Sequence, residues 1–232
     1  MSLLFENVGK DIENLIISIY NKYKDELNNN IQDRIGYLNI YHNKWDSNNE
    51  SELLYKMSSF LNIDPNLVLT INFLMSKPDC KNQHYHIDYE GKTETFFIPL
   101  CELNDKNGTE IVEFKNLQDN IKYFPTLLEI SNLCYSKSDL INELSKYNID
   151  STIYNIKYIN SNPFSLIKIP NYLLHRGRTN ETPTDRVMFS IVVSHNSNYS
   201  LTLDKVVSDA ELDENMDIKI NIINNRINNI SI

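Results

Sequence analysis

The chain opens with apolar residues that recur every three to four positions. Over residues 8–29 Ile, Leu and Tyr side chains repeat at this spacing, and the polar run Asn28–Asn30 ends the pattern. Such spacing places the apolar side chains on one face and predicts an amphipathic helix. Residues 50–61 predict a second helix and residues 34–41 a strand between the two. We therefore expect residues 1–66 to form a mainly helical N-terminal support.

Beyond Pro65 the pattern changes to short apolar or alternating runs that are separated by turn residues, as is typical of β-strands. The predicted strands are 67–75, 82–90, 93–100, 109–115, 152–160, 164–169, 171–176 and 185–195. Residues 138–147 predict a further helix inside the stretch 116–163, which we interpret as an insertion because its surroundings lack periodicity. Helices followed by short strands predict an α+β fold whose strands roll into a sandwich or barrel.

The composition is that of an ordinary folded domain. With 232 residues, 41% of them hydrophobic and 23% charged, the chain predicts a single domain with a β core at 67–200 and a C-terminal extension at 201–232. It contains no long apolar run that would span a membrane and shows no signal-peptide pattern, so a cytoplasmic location is expected. The three cysteines form no CxxC pair and are expected to be reduced thiols.

The charge limits the partners that we expect. A formal net charge of −9 without a basic stripe argues against a large nucleic-acid interface and favours a small metabolite or a peptide side chain as substrate. The sequence gives no indication of the oligomeric state.

Two rare residue types are concentrated in two short windows. Three of the arginines, Arg176, Arg178 and Arg186, fall within eleven residues, and His84, His86 and His175 are three of the five histidines. These windows are where we expect the chemistry.

The segment NQHYHIDYE carries candidate metal ligands. Side chains alternate between the two faces of a strand, so His84, His86 and Asp88 are expected to point the same way. An imidazole nitrogen of His86 and a carboxylate oxygen of Asp88 would then lie close together, and His175, at the end of a predicted strand, is the candidate third ligand. Two histidines and one carboxylate on one face of a metal leave open positions, which is the arrangement of Fe(II) oxygenases.

The open positions would allow a 2-oxo acid to chelate the metal beside O₂. The distal carboxylate of such a molecule is best held by arginine, whose charge is permanent and whose hydrogen bonds are bidentate. Arg186 follows His175 by eleven residues on the next predicted strand. A short turn at 179–184 predicts a hairpin that brings the two side chains together, and Ser190, on the same strand face, is a candidate second contact.

Three segments resemble a known family: KPDCKNQHYHIDYEG, LNDKNGTEIVEF and HRGRTNETPTDRVMFSIV. They are similar to the phytanoyl-CoA dioxygenase-like branch of the Fe(II)/2-oxoglutarate-dependent oxygenases, over roughly residues 67–195. The resemblance implies a double-stranded β-helix (jelly-roll) core, with Fe(II) as cofactor and 2-oxoglutarate and O₂ as co-substrates. It also implies hydroxylation of a substrate with release of succinate and CO₂. In it, His86 and Asp88 match the HxD motif, His175 the distal histidine and Arg186 the arginine that binds the co-substrate.

The resemblance implies further roles. Asn107–Gly108 matches the NG turn of the family, and Thr95 is a candidate for an additional polar contact to 2-oxoglutarate. TEIVEFKN stands where a proline-glycine-serine-histidine stretch often follows that turn, so the resemblance implies nothing about the substrate side. Candidate substrate contacts there are His84, Arg176 and Arg178. An alternative for His84 is a hydrogen-bonded strand residue, and for the arginines a solvated or ion-paired position.

Two other functions remain open at this point. His84-x-His86-x₃-Glu90 fits half of a cupin metal motif, although the cupin glycines are missing and Arg186 would have no function in a cupin. The second alternative is a non-catalytic β-barrel binding module with a relic metal site or a structural zinc site. His42 and His195 lack sequence partners and are interpreted as structural or exposed.

Overall fold

The structure is a computed structural model that describes residues 6–40, 48–88, 93–170 and 172–194. The interpretations of His42, Glu90, His195 and the C-terminal extension concern residues outside these ranges. No helix in the described ranges is both long and apolar enough to cross a membrane.

The described ranges contain four α-helices and ten strands. The helices are α1 (Lys10–Asn29), α2 (Asn48–Leu61), α3 (Leu117–Ile130) and α4 (Lys137–Lys146), and a short 3₁₀ helix covers Pro65–Leu67. The strands are β1 (Glu6–Asn7), β2 (Ile31–Gln32), β3 (Ile35–Ile40), β4 (Val68–Ser76), β5 (Thr93–Pro99), β6 (Thr109–Phe114), β7 (Tyr154–Ile159), β8 (Ser165–Pro170), β9 (His175–Gly177) and β10 (Arg186–Ser194).

The strands form two antiparallel sheets. The large sheet has the order β1-β8-β5-β10-β4-β3-β2, and the small sheet has the order β7-β6-β9. Together with the helices they make an α+β fold, as the sequence predicted.

Three apolar clusters show how the layers are stacked. The first joins Ile16 of α1 and Met57 of α2 to the outer face of the large sheet, for example at Phe189. The second lies between the two sheets, where Ile111 of β6 packs in one cluster with Met188 of β10. The third cluster covers the far side of the small sheet with α3 and α4. The sheets therefore enclose an interior that is flanked by a pair of helices on either side.

Most of the predicted elements are confirmed, and α3 is the main addition. The sequence predicted no regular element at 116–137, whereas the structure forms α3 there, and Asn116 caps this helix by accepting a hydrogen bond from the Gln118 backbone N–H at 2.9 Å. Pro125 lies inside this helix, where it can donate no backbone hydrogen bond. Predicted helix 138–147 corresponds to α4, which begins with a capping box of Ser136 and Asp139.

The predicted strand 82–90 is wrong for its described part. Residues 81–88 pair with the rest of the protein only through an isolated bridge between His86 and His175. Their other backbone partners are the Gly177 carbonyl, which accepts from the Gln83 N–H at 2.9 Å, and residues of the segment after α3, so the chain is extended here without joining a ladder.

The predicted hairpin between His175 and Arg186 is also wrong. Strand β9 belongs to the small sheet and β10 to the large one, so the intervening residues cross from sheet to sheet. The buried side chain of Asn180 fixes this crossing, because its Nδ2 donates to the carbonyl oxygens of Ser76 at 2.9 Å and Thr184 at 2.7 Å. The two functional candidates consequently approach the interior from opposite sheets.

Candidate metal centre

The predicted ligands converge into one cluster, which we call the His-Asp-His group: His86, Asp88 and His175. One possible ligand atom from each residue lies within 4.8 Å of the others. The Nε2 atoms of His86 and His175 each lie 3.5 Å from a carboxylate oxygen of Asp88. Two imidazoles and one carboxylate at this spacing can hold a divalent transition metal and leave coordination positions open.

The segment that carries His86 is held from both sides. On one side His86 and His175 exchange two backbone hydrogen bonds, at 2.8 and 2.9 Å. On the other side the Tyr85 backbone N–H donates to the Cys134 carbonyl at 2.9 Å, and the Tyr85 carbonyl accepts from the Asn132 N–H at 2.7 Å. The connection between α3 and α4 is therefore part of the wall that positions the first ligand.

Both imidazoles are oriented by main-chain carbonyls. His86 Nδ1 lies 2.8 Å from the carbonyl oxygen of His84, and His175 Nδ1 lies 3.0 Å from that of Leu173. A carbonyl can only accept, so each Nδ1 carries the proton and each Nε2 keeps its lone pair for a metal.

The carboxyl group of Asp88 is held in its ionised form. Burial alone would raise its pKa, but the positive charges that the His175 and His86 rings carry when Nε2 is protonated, together with their hydrogen bonds, outweigh burial and lower the pKa well below its usual value. An ionised carboxylate is the form that a metal binds.

Arg186 is a buried cation that lacks an acidic partner among the described residues. It is 2% exposed, and its Nη1 and Nη2 donate to the Asn107 carbonyl at 2.6 Å and to Ser76 Oγ at 2.7 Å. Its Nε is buried and has no hydrogen-bond partner in the described part of the chain. Burial lowers the pKa of the Arg186 guanidinium from its ordinary value. A buried charge of this kind is costly unless it is compensated, so the site is suited to an anionic ligand.

Ser190 and Thr95 lie on the inner face of the large sheet at different distances from Arg186. Ser190 is four residues along β10 from Arg186, and its Oγ accepts a hydrogen bond from Asn72 Nδ2 at 3.2 Å. Thr95 pairs with Val192, six residues from Arg186, which at about 3.3 Å per residue separates their backbones by about 20 Å along the strand. The structure does not bring Thr95 beside Arg186.

The three predicted substrate contacts have distinct surroundings. The His84 ring lies against the ring of Tyr135, with 3.4 Å between the centroids. Arg178 lies over the Tyr158 ring at 4.7 Å from its centroid and donates to the Asp105 carbonyl. Arg176 is only 5% exposed and forms an ion pair with the buried carboxylate of Glu110, which is the ion-paired alternative to a substrate contact.

Sequence reasoning missed several residues of this region. Ser76 gives no sequence signal, because a serine at the end of an apolar strand is commonplace. Glu110 and Tyr85, which partner Arg176, come from segments distant in sequence. Only the fold brings them together.

Comparison with known proteins supports the fold. No family model matches the sequence, and the search of curated proteins found no match. Among solved structures, the non-haem alpha-ketoglutarate-dependent carbocyclase SnoK from nogalamycin biosynthesis aligns with a TM-score of 0.52 and 12% identity over 85% of this chain and 81% of that chain. The chain has the fold of the non-haem 2-oxoglutarate-dependent enzymes.

Two further structures share this fold. EctD from S. alaskensis, solved with 2-oxoglutarate and 5-hydroxyectoine, aligns at a TM-score of 0.52 and 11% identity over 82% of this chain and 70% of that chain. The epimerase SnoN from nogalamycin biosynthesis aligns at a TM-score of 0.50 and 9% identity over 84% and 81% of the two chains.

Proposed function

We propose that the protein is an Fe(II)- and 2-oxoglutarate-dependent dioxygenase. In this proposal it hydroxylates a small metabolite or a peptide side chain and releases succinate and CO₂. The observation that carries the proposal is the buried Arg186, which has no acidic partner among the described residues, together with the His-Asp-His group in the same domain. The two packed sheets would form the double-stranded β-helix that such enzymes use.

The His-Asp-His group fits Fe(II) by the chemistry of its donors. Two Nε2 lone pairs and one ionised carboxylate form the donor set of non-haem Fe(II) oxygenases, and the fixed Nδ1 protons orient both rings before a metal arrives. When bound, the iron would supply the redox chemistry that couples decarboxylation of 2-oxoglutarate to oxidation of a substrate by O₂. The protein residues hold the metal, orient its co-substrate and exclude water.

Arg186 would hold the distal carboxylate of 2-oxoglutarate. Its guanidinium is fixed by Ser76 and by the Asn107 carbonyl, and both of these partners are neutral. The positive charge therefore remains available to an anion. The Ser76 hydroxyl accepts from Arg186, so its own proton is free to donate to the same carboxylate. Ser190 is a further proposed contact. Thr95 lies about 20 Å from Arg186 along the strand, too far to contact a 2-oxoglutarate whose distal carboxylate binds Arg186.

The substrate side is proposed around His84. The exposed ring of Tyr135 lies against His84 two residues before the first ligand, and these rings would form part of the entrance. Arg178, which is partly exposed, would contact an anionic group of the substrate. Arg176 is given a different role below. Solved structures with this fold include a carbocyclase and an epimerase, so the fold serves more than one reaction. Among these reaction types we propose hydroxylation for this protein.

The test is release of labelled succinate from 2-oxoglutarate in the presence of Fe(II) and O₂. We expect Fe(II)-dependent succinate formation by the wild type. His175→Ala should abolish metal binding and turnover, whereas Arg186→Ala should bind metal but require far more 2-oxoglutarate. Lys56→Ala, on the outer helix α2, is the control and should leave both unchanged.

Two results would contradict the proposal. Succinate release that survives both His175→Ala and Arg186→Ala would exclude this site. Tight zinc binding without any 2-oxoglutarate turnover would favour a structural zinc site or a binding module.

A further inference from the structure

A buried charge cluster lies directly beside the two histidine ligands. We propose that Glu110 is a positioning residue that sets the spacing of His86 and His175 through Tyr85 and Arg176. We call Tyr85, Glu110 and Arg176 the Glu110 cluster. The inference rests on the proposed metal-binding role of the His-Asp-His group and goes beyond it, because no residue of the cluster is a ligand.

One carboxylate oxygen joins the members of the cluster. Glu110 Oε2 accepts from the Tyr85 hydroxyl at 2.5 Å and from Arg176 Nε at 2.7 Å, and it lies 2.6 Å from Arg176 Nη2. The guanidinium of Arg176 also stacks over the Tyr85 ring, 4.3 Å from its centroid. The three side chains are therefore fixed to one another in every pairwise combination.

The position of the cluster in the chain connects it to the ligands. Tyr85 immediately precedes His86, and Arg176 immediately follows His175. In extended backbone neighbouring side chains point to opposite faces, and Tyr85 packs in the cluster of α3 and α4 rather than in the interior between the sheets. The Glu110 cluster thus connects the two ligand-bearing segments on the side of α3 and α4, while the ligand side chains point to the opposite face.

Strand pairing adds a third support. Glu110 lies directly opposite Arg176 in the ladder between β6 and β9, and the next pair in that ladder is Ile111 with His175. Movement of Arg176 relative to β6 would therefore move His175 as well. Together with the backbone bridge between His86 and His175, the cluster fixes the separation of the two imidazoles.

The cluster also reaches the insertion. Arg176 Nη1 donates to the Tyr135 carbonyl oxygen at 2.5 Å, and the Tyr135 ring lies against His84. The connection between α3 and α4 is thereby bound to Arg176, the residue that also joins the Glu110 cluster to the His175 segment.

A purely structural function is the alternative. All three residues are at most 5% exposed, and a buried ion pair loses much of its attraction to desolvation. Burial and the adjacent Glu110 carboxylate raise the pKa of Tyr85, which keeps its hydroxyl protonated as a donor. The two functions can be distinguished by substitution. Loss of a positioning carboxylate should weaken metal binding more than loss of a similar buried carboxylate that lies far from the ligands.

The chain contains such a carboxylate. The buried carboxylate of Glu50 accepts from Lys22 Nζ at 2.7 Å and from the Tyr23 hydroxyl at 3.1 Å. Like Glu110, it joins one cation and one tyrosine. It connects α1 to α2 on the outer side of the large sheet, away from the ligands.

The experiment measures Co(II) affinity of the metal-free protein by calorimetry and by the visible spectrum of bound Co(II), with thermal melting recorded in parallel. We expect Glu110→Gln to weaken Co(II) binding about tenfold or more and to alter the spectrum, because supporting residues of metal sites typically have effects of about 10- to 100-fold. Tyr85→Phe should have a smaller effect in the same direction. Glu50→Gln should lower the melting temperature yet leave the Co(II) dissociation constant within about twofold of wild type.

Each outcome is decisive. Equal Co(II) affinity in wild type and Glu110→Gln would overturn the positioning function while leaving the proposed metal site intact. Equal losses of Co(II) affinity in Glu110→Gln and Glu50→Gln would mean that Glu110 affects metal binding only through the general stability of the fold. If wild type bound no Co(II), both this inference and the proposed function would fail. If Glu110→Gln does not fold, the double variant Glu110→Leu/Arg176→Met removes both charges together and should show the same loss of affinity.

Discussion

Gly177 and Arg186 lie on strands of different sheets and meet in the interior. A Cβ atom on Gly177 would lie 3.0 Å from Nη2 of Arg186 and would collide with Oε1 of Gln83. The Gln83 side chain occupies that space because it accepts a hydrogen bond from the Gly177 N–H at 2.8 Å. Because Gly177, two residues after His175, has no side chain, the Arg186 guanidinium can occupy its present position.

Gly177→Ala should weaken 2-oxoglutarate binding without unfolding the protein. The atoms that a methyl group would meet are the ends of flexible side chains, so Gln83 and Arg186 can move aside at the cost of their present contacts. We expect the KM for 2-oxoglutarate to rise about tenfold, which corresponds to about 1.4 kcal/mol. Gln83→Ala removes the same hydrogen bond but adds no methyl group. An equal rise in KM for both variants would contradict displacement of Arg186.

Gly108→Ala should destabilise the fold. Its Cβ would lie 2.6 Å from the carbonyl oxygen of Asn104 and 2.7 Å from that of Ile159. Both are backbone atoms held in turns and ladders, so they cannot move independently. We expect the free energy of unfolding to fall by about 1–3 kcal/mol, measured by urea denaturation. An unchanged denaturation midpoint would show that the turn relaxes.

Arg186→Lys should raise the KM for 2-oxoglutarate even though the charge is kept. Lysine cannot reproduce the planar pair of donors that reaches both Ser76 and the Asn107 carbonyl. We expect a rise of about 30-fold, or about 2 kcal/mol, with Fe(II) affinity unchanged. The control is Arg34→Lys, because Arg34 is exposed and donates through Nε to the Pro78 carbonyl. An unchanged KM for 2-oxoglutarate in Arg186→Lys would show that Arg186 does not bind this co-substrate.

Cys134 should resist alkylation in the folded protein. Burial, and then the charges of Glu143 and Asp139, raise the pKa of its thiol to about 11. At pH 8 the thiolate fraction is then about 0.1%, compared with roughly a quarter at the unfolded pKa of about 8.5. Mass spectrometry after iodoacetamide treatment should find Cys134 modified far more slowly in native protein than in urea.

The same shift predicts a dependence of stability on pH. A pKa raised by folding stabilises the native state fully below the unfolded pKa, and this contribution is lost as pH rises from about 8.5 through about 11. The urea midpoint of wild type should fall over this range more steeply than that of Cys134→Ala. Parallel pH profiles would show that the thiol does not titrate as described.

The sequence alone identified much of the candidate site. Alternation along NQHYHIDYE indicated that His86 and Asp88 share a face, and these residues do lie together even though no ladder forms there. Local backbone geometry is enough for that result. The scarcity of arginine and histidine also directed attention to His175 and Arg186, since a rare residue type is informative wherever it falls.

Only the tertiary structure decided how these segments are arranged. The eleven-residue interval suggested a hairpin, but Asn180 turns the chain from one sheet to the other, so His175 and Arg186 arrive from opposite sides. Local pattern cannot distinguish these paths, because both need extended strands with a polar turn between them. The Glu110 cluster was equally out of reach, since it depends on contacts among three segments that are far apart in sequence. Periodicity determines which side chains share a face, whereas packing of distant segments determines what each face meets.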